Sequence, residues 1–195
     1  GLQAALFGAG TTTRILRTMN DLFREENSRN SPRPAAVMNR FQHVFGRRFV
    51  ELGRFVTICF GRFDLKDRTF TFVDGGHTNT IHYTFPTDET HFLKGNNMPV
   101  GFSKTERYEE KQVVFSDKDV FVFYTDGVTE QRNDKGEQFG TERLALLIKE
   151  NAGLPANELV EKVHTSVRRF SCREKPADDV TCIAVKIDKT SPVTS

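Results

Sequence analysis

The chain has 195 residues, enough for one domain with a sizeable hydrophobic core. Its formal net charge is only +2 and its basic runs are short, so we expect no nucleic-acid partner. Its three cysteines, Cys59, Cys172 and Cys182, form no Cys-x-x-Cys pair. That pattern favours a reducing, cytoplasmic location over a disulfide framework or a zinc site. No stretch approaches the roughly 20 apolar residues of a membrane span, and no signal peptide is evident.

Helical patterns occupy the first part of the chain. Apolar residues at helical spacing predict a helix over 1–27. Ser, Asn and Pro residues predict a loop over 27–34. A second helix is predicted over about 35–45, because one apolar stripe is formed by Val37, Met38, Phe41, Val44 and Phe45.

Strand patterns begin after Gly53. The runs 54–63 and 68–73 are separated by Asp-Leu-Lys-Asp, which predicts a β-hairpin. A third strand is predicted over 80–85. Because the links between the three strands are short, we expect an antiparallel meander with one buried face. The segment 87–94 is polar, and 95–101 is predicted to be a loop.

A short apolar run stands out in the second half of the chain. Val120–Thr125 contains five apolar or aromatic residues out of six, without polar alternation, and leads into Asp126 and Gly127. This pattern predicts a strand that is buried on both faces. A strand at 109–115 precedes it. Two helices and a last strand are predicted after it, at 141–151, 155–170 and 180–187.

Acidic residues lie at the ends of two of these buried strands. Asp126 follows one strand, and Asp178 and Asp179 precede the last one. If the two strands pair antiparallel, about 4.8 Å apart, the carboxylates share one edge of the sheet. Carboxylates that close repel each other unless a cation or protons intervene, so we expect a divalent metal site. Glu130 is a further candidate, with a solvated loop acid as the alternative, and Gly127 gives the turn freedom to adopt positive φ.

The glycine-rich segment Asp74-Gly75-Gly76-His77 leaves two interpretations open. One is a hairpin connection with His77 free at its edge. The other is a flexible loop that lets His77 approach a phosphate or a metal.

Five motifs share their order and spacing with one known family. They are RFVT at 54–57, VDGGH at 73–77, YTDGVTE at 124–130, FG at 139–140 and DDVT at 178–181. Together they resemble the serine phosphatases of the SpoIIE/RsbU type, a branch of the metal-dependent (PPM) protein phosphatases. The likeness runs from residue 1 to about Ile187. Asp74 stands where the family usually has Asn.

The resemblance implies an α+β fold, the PPM-type α-β-β-α sandwich with antiparallel sheets and a pair of Mn²⁺ or Mg²⁺ ions at one end. It implies that a metal-bound water, with no protein nucleophile, hydrolyses phosphoserine or phosphothreonine on a regulatory partner protein. The family's usual partner is a phosphorylated anti-sigma factor antagonist. By position, Asp126 and Asp178 correspond to metal ligands, with Asp179 beside them as an alternative ligand and His77 near the rim.

The resemblance also defines expected boundaries. Residues 1–188 correspond to the C-terminal portion of a phosphatase domain, and 189–195 form a polar tail. Family members carry further acidic motifs upstream of the opening helix, so we expect the N-terminal strands to be missing here. An incomplete sheet has an open edge, which favours a dimer. Two hypotheses follow: a phosphoprotein phosphatase, or a truncated or degenerate phosphatase fold that acts as a non-enzymatic interaction module. A nucleotide-binding domain is disfavoured because the chain has no phosphate-binding loop.

Overall fold

The computed structural model describes residues 2–25, 32–172 and 178–188. Most of the loop predicted over 27–34, the segment before Asp178 and the predicted tail at 189–195 lie outside the described residues. Within the described residues, no helix is both long and apolar enough to cross a lipid bilayer.

Helices and strands alternate in blocks along the chain. The helices are α1 (Leu2–Glu25), α2 (Pro34–Phe41), α3 (Arg47–Glu51), α4 (Asp126–Thr129), α5 (Thr141–Glu150) and α6 (Ala156–Ser171). The strands are β1 (Ile58–Asp64), β2 (Thr69–Gly75), β3 (Thr80–Thr84), β4 (Glu89–Leu93), β5 (Lys111–Val114), β6 (Val120–Tyr124) and β7 (Cys182–Lys186). These elements are divided between two compact units, each with its own sheet.

The first unit comprises Gly1–His77 and Gly95–Val114. Its sheet has the order β1-β2-β5, and β2 is antiparallel to both neighbours. The predicted hairpin between β1 and β2 is confirmed: Asp64 Oδ1 accepts hydrogen bonds from the main-chain nitrogens of Lys66 (3.1 Å) and Asp67 (3.0 Å). The core of this unit is formed by Met38, Phe41, Phe49, Ile58, Val73, Val100 and Tyr108.

The second predicted helix is longer than expected and contains a wider turn. Pro34 opens α2 at a position where its missing N–H costs nothing. The chain then continues through a π-helical turn, Gln42–Gly46, into α3. This turn changes the phase of the predicted apolar stripe, because a π turn takes up more residues than an α turn. Val37 is fully buried as predicted, whereas Val44 is 51% exposed.

The second unit comprises Thr78–Lys94 and Phe115–Ser195. Its four-stranded sheet has the order β4-β3-β6-β7 and is antiparallel throughout. Apolar side chains of β3 and β6 form a core with α5 and α6, as their helical spacing predicts. Its fully buried members are Ile81, Val120, Val122, Val128, Leu144, Ile148, Leu159 and Val163. On the other face of β6, Phe121 is also fully buried, so the prediction of a strand buried on both faces is confirmed.

The predicted three-stranded meander is wrong. Both edges of β2 are taken, by β1 and β5, while β3 pairs with β4 and β6 in the other sheet. The polar segment 87–94, for which no strand was predicted, contains β4. That strand lies at the edge of its sheet among the described residues, where polar side chains such as Glu89 and His91 stay exposed and only Leu93 is buried. It therefore lacks the apolar run that identifies a central strand.

A buried carboxylate fixes the start of β6. Asp119 is 1% exposed, and its Oδ2 accepts hydrogen bonds from the Ser116 main-chain nitrogen and from His82 Nε2, both at 2.9 Å. Its Oδ1 accepts a third from the Phe85 main-chain nitrogen at 2.9 Å. The His82 ring stacks on Phe121, with centroids 4.1 Å apart. Asp119 thus ties the end of β3 to the start of β6.

Candidate metal centre

The end of β6 lies beside the start of β7. The two strands are antiparallel, with Tyr124 opposite Cys182. One step further, the Thr125 main-chain nitrogen donates to the Thr181 carbonyl oxygen at 3.1 Å. The antiparallel pairing on which the predicted metal site depends is therefore confirmed, and Asp126 follows one strand where Val180 precedes the other.

Gly127 allows the two chain segments to approach each other closely. A Cβ atom on Gly127 would lie 2.2 Å from the Asp179 carbonyl oxygen. The predicted reason for this glycine, a positive φ, is wrong: Gly127 lies in the short helix α4 and is needed because no side chain fits there. The structure therefore brings the backbone that follows Asp126 into contact with the backbone that follows Asp178.

The three aspartates at this edge are exposed. Asp126 Oδ1 accepts a hydrogen bond from the Gly127 main-chain nitrogen (2.9 Å), and Asp178 Oδ1 accepts one from the Asp179 main-chain nitrogen (2.8 Å). Within the part of the chain that the structure describes, the second oxygen of each of these two carboxylates makes no hydrogen bond. Two carboxylates with spare oxygens are therefore presented to solvent.

This donor set fits a hard divalent cation. Mg²⁺ prefers oxygen ligands and is commonly held by one or two carboxylates, with water completing its coordination. Among the described residues there is no group of three or more His, Cys, Asp or Glu side chains arranged to hold a metal. Asp126, Asp178 and Asp179 therefore offer carboxylate oxygens as candidate ligands, and their roles stay predictions.

The two remaining candidates take different positions. Glu130 is exposed at the C-terminal end of α4, where its main-chain nitrogen donates to the Asp126 carbonyl oxygen at 2.8 Å. His77 belongs to the first unit. A ligand role for Glu130 and a place for His77 near the rim stay predictions.

Asp74 fixes the glycine-rich segment that carries His77. Asp74 is 6% exposed; its Oδ1 accepts from the His77 main-chain nitrogen and its Oδ2 from the Gly95 main-chain nitrogen, each at 2.8 Å. Gly76 adopts φ +75°, which favours glycine. The segment is not a hairpin connection, because β2 and β3 belong to different sheets. The anchoring of this segment by Asp74 was not predicted from the sequence. The available signal was an acidic residue directly before a Gly-Gly pair.

Sequence and structure comparisons identify related proteins. The profile of the family described as Stage II sporulation protein E (SpoIIE) matches residues 1–188. The phosphoserine phosphatase RsbU of Bacillus subtilis is 22% identical over 183 residues, which cover 94% of this chain and 54% of RsbU. The protein IcfG of Synechocystis is 24% identical over 135 residues, which cover 69% of this chain and 21% of IcfG. The chain thus spans about half, or less, of the length of these curated relatives.

Solved structures share the fold. The SiaA-PP2C domain of Pseudomonas aeruginosa superimposes with a TM-score of 0.73 at 20% identity, covering 94% of this chain and 70% of that one. The RsbU and RsbW domains of Rv1364c from Mycobacterium tuberculosis give a TM-score of 0.69 at 18% identity, covering 98% and 50%. These similarities confirm the predicted α+β fold of the PPM phosphatase type. Since the family profile spans nearly the whole sequence, the chain belongs to the SpoIIE family.

Proposed function

We propose that the chain is a metal-dependent phosphoprotein phosphatase domain that hydrolyses phosphoserine or phosphothreonine on a regulatory partner protein. The observation that supports the proposal is the antiparallel pairing of β6 with β7, because Asp126 follows the end of β6 and Asp178 precedes the start of β7. Family membership and the name of the relative RsbU, a phosphoserine phosphatase, support the same reaction class.

The proposed cofactor is Mn²⁺ or Mg²⁺, with Asp126 and Asp178 as ligands and Asp179 as a neighbouring or alternative ligand. One related structure, the SpoIIE phosphatase domain of Bacillus subtilis, was presoaked with Mn, and another, RsbX, is in complex with magnesium. When bound, such an ion neutralises phosphate charge, orients the phosphoryl group and makes water a better nucleophile near neutral pH.

The chain's own contribution is to hold negative charge in place. Two carboxylates on adjacent chain segments repel each other, and a divalent cation relieves that repulsion. Asp126 and Asp178 each accept the next main-chain N–H with one oxygen, which restrains the carboxylate and leaves the other oxygen for a ligand. No side-chain nucleophile is required for this reaction class, so the proposal assigns none.

The proposed partner is a phosphorylated anti-sigma factor antagonist, and the proposed location is the cytoplasm. Both follow from the SpoIIE/RsbU resemblance. Dimerisation through an open sheet edge stays a prediction.

The test is Mn²⁺-dependent release of phosphate from a phosphoserine protein such as phosphorylated casein. Asp126→Asn is expected to reduce the rate at least about 100-fold, since it removes a charged ligand. Asp134→Asn is the matched control, because Asp134 is an exposed loop acid in the same unit. Equal rates for wild type and Asp126→Asn would reject Asp126 as a metal ligand, whereas no Mn²⁺-dependent release by wild type would reject the phosphatase proposal and favour the interaction-module hypothesis.

A further inference from the structure

The Thr125 side chain forms a bridge at the meeting point of β6 and β7. Its hydroxyl donates to the Asp179 carbonyl oxygen at 3.2 Å and accepts from the Thr181 main-chain nitrogen at 3.1 Å. The Thr125 main-chain nitrogen donates to the Thr181 carbonyl oxygen at 3.1 Å. One residue therefore makes three hydrogen bonds to the segment that contains Asp179 and leads into β7.

Two of these bonds replace a regular strand ladder. The ladder between β6 and β7 ends at the pair Tyr124 and Cys182. Beyond that pair, the segment 178–181 has no strand assignment. A hydroxyl that donates to one main-chain group and accepts from another two residues away sets the path of the segment between them. Because the acids at 178 and 179 lie at this end of the segment, their position depends on that path.

Gly127 completes the arrangement from the other side. Its Cα lies against the Asp179 carbonyl group, where a Cβ would come within 2.2 Å of the oxygen. The Asp179 carbonyl is thus held between the Thr125 hydroxyl and the bare Cα of Gly127. Thr125 and Gly127 flank Asp126 in the sequence. The residues on either side of the Asp126 carboxylate therefore also hold the main chain of Asp179.

We propose that Thr125 is a positioning residue for the metal centre: its hydroxyl holds the Asp178 and Asp179 segment in register with Asp126. This inference rests on the proposed function. Thr125 itself does not touch the metal in this proposal; it acts through the main chain of residues 179 and 181. A valine at this position keeps the shape and loses both side-chain hydrogen bonds, while a serine keeps the hydroxyl.

The first measurement follows the contact itself in metal-free protein. Hydrogen exchange of the Thr181 amide is expected to become about fivefold faster or more in Thr125→Val. Thr125→Ser should stay close to wild type. Thr84→Val is the matched control, because the Thr84 hydroxyl also bonds to a side chain and a main-chain oxygen in the same unit, in β3. An unchanged exchange rate of the Thr181 amide in Thr125→Val would refute the hydrogen bond between that amide and the Thr125 hydroxyl.

The second measurement follows the metal. Isothermal titration with Mn²⁺ is expected to give a dissociation constant about tenfold higher or more in Thr125→Val, as found when groups that orient metal ligands are removed. Thr125→Ser and Thr84→Val should bind Mn²⁺ like wild type. At saturating Mn²⁺, the kcat of Thr125→Val for phosphate release should approach the wild-type value, since the ligands remain.

The outcomes separate this inference from the proposed function. Mn²⁺ binding that is identical in wild type and Thr125→Val overturns the positioning role and leaves the phosphatase proposal intact. Absence of Mn²⁺ binding to wild-type protein overturns both. Loss of overall folding in Thr125→Val, measured by circular dichroism, would show a structural role in place of the positioning role; recovery of Mn²⁺ affinity in Thr125→Ser supports positioning.

Discussion

Replacing Asp119 by alanine tests how much its buried hydrogen bonds stabilise the second unit. Asp119 is 1% exposed and accepts three hydrogen bonds, from His82 Nε2 and from the main-chain nitrogens of Phe85 and Ser116. Alanine removes both acceptor oxygens and leaves the three donors without this partner. A hydrogen bond to a charged group contributes about 1.5–3 kcal/mol, and a buried donor left unsatisfied costs about 1–3 kcal/mol.

These costs overlap, and partial exposure of the two loop nitrogens lets water replace some of the lost bonds. We therefore expect Asp119→Ala to lower the free energy of unfolding by about 3–5 kcal/mol. Asp119→Asn should lose less, about 2–3 kcal/mol, because an amide oxygen in the place of Oδ2 can still accept the hydrogen bonds from His82 and Ser116 while the amide nitrogen cannot accept the one from Phe85. Asp134→Asn, at an exposed position, should change the free energy of unfolding by less than about 0.5 kcal/mol.

The assay is urea unfolding followed by circular dichroism, with the free energy of unfolding taken from the midpoint and slope. The expected order of stability is wild type and Asp134→Asn, then Asp119→Asn, then Asp119→Ala. If the free energy of unfolding of Asp119→Ala were within about 1 kcal/mol of the wild-type value, the proposed stabilising role of the Asp119 hydrogen bonds would be refuted.

Three further predictions concern titration, loop anchoring and thiol chemistry. Burial lowers the pKa of His82 from its ordinary value of 6.5, although the nearby Asp119 partly opposes this shift. Below about pH 6.5 the unfolded chain therefore binds a proton that the folded chain does not, so the free energy of unfolding should decrease as the pH is lowered. The urea midpoints of unfolding at about pH 7.5 and about pH 5.5 should differ more for wild type than for His82→Gln. Asp74→Asn should lower the free energy of unfolding by about 1–2 kcal/mol in urea titrations, because an amide can accept only one of the two main-chain hydrogen bonds that the carboxylate accepts. Burial raises the pKa of the Cys182 thiol to about 11, so iodoacetamide should label exposed Cys172 much faster, as peptide mass spectrometry would show; equal labelling would contradict the burial of Cys182.

Local patterns predicted the elements that the site needs. The apolar run at 120–125 ends at an acid and a glycine, and its burial on both faces follows from the lack of polar alternation. The helical stripe of Leu159, Val163 and Val167 is buried as its spacing requires. These features depend on residues close together in the sequence, where periodicity is informative.

Features that depend on distant residues could not be predicted in this way. β2 pairs with β5, which lies about forty residues further along the chain, and no local signal separates this pairing from a meander with β3. The edge strand β4 carries too few apolar residues to be recognised. The Thr125 hydroxyl reaches residues 179 and 181 only because the two strands meet. A threonine before an aspartate at a strand end was the sole local signal for that contact.

The most direct test of the central claim is an NMR titration with Mn²⁺. The claim is that one cation is held jointly by the end of β6 and the start of β7. Paramagnetic broadening should therefore affect the Gly127 and Asp179 amide signals together, with one shared midpoint, while the exposed Asp134 amide in the 133–136 turn serves as the comparison signal. In Asp126→Asn, and equally in Asp178→Asn, both signals should stay sharp at the same Mn²⁺ concentration. Broadening that persists unchanged in either variant would contradict the shared metal centre.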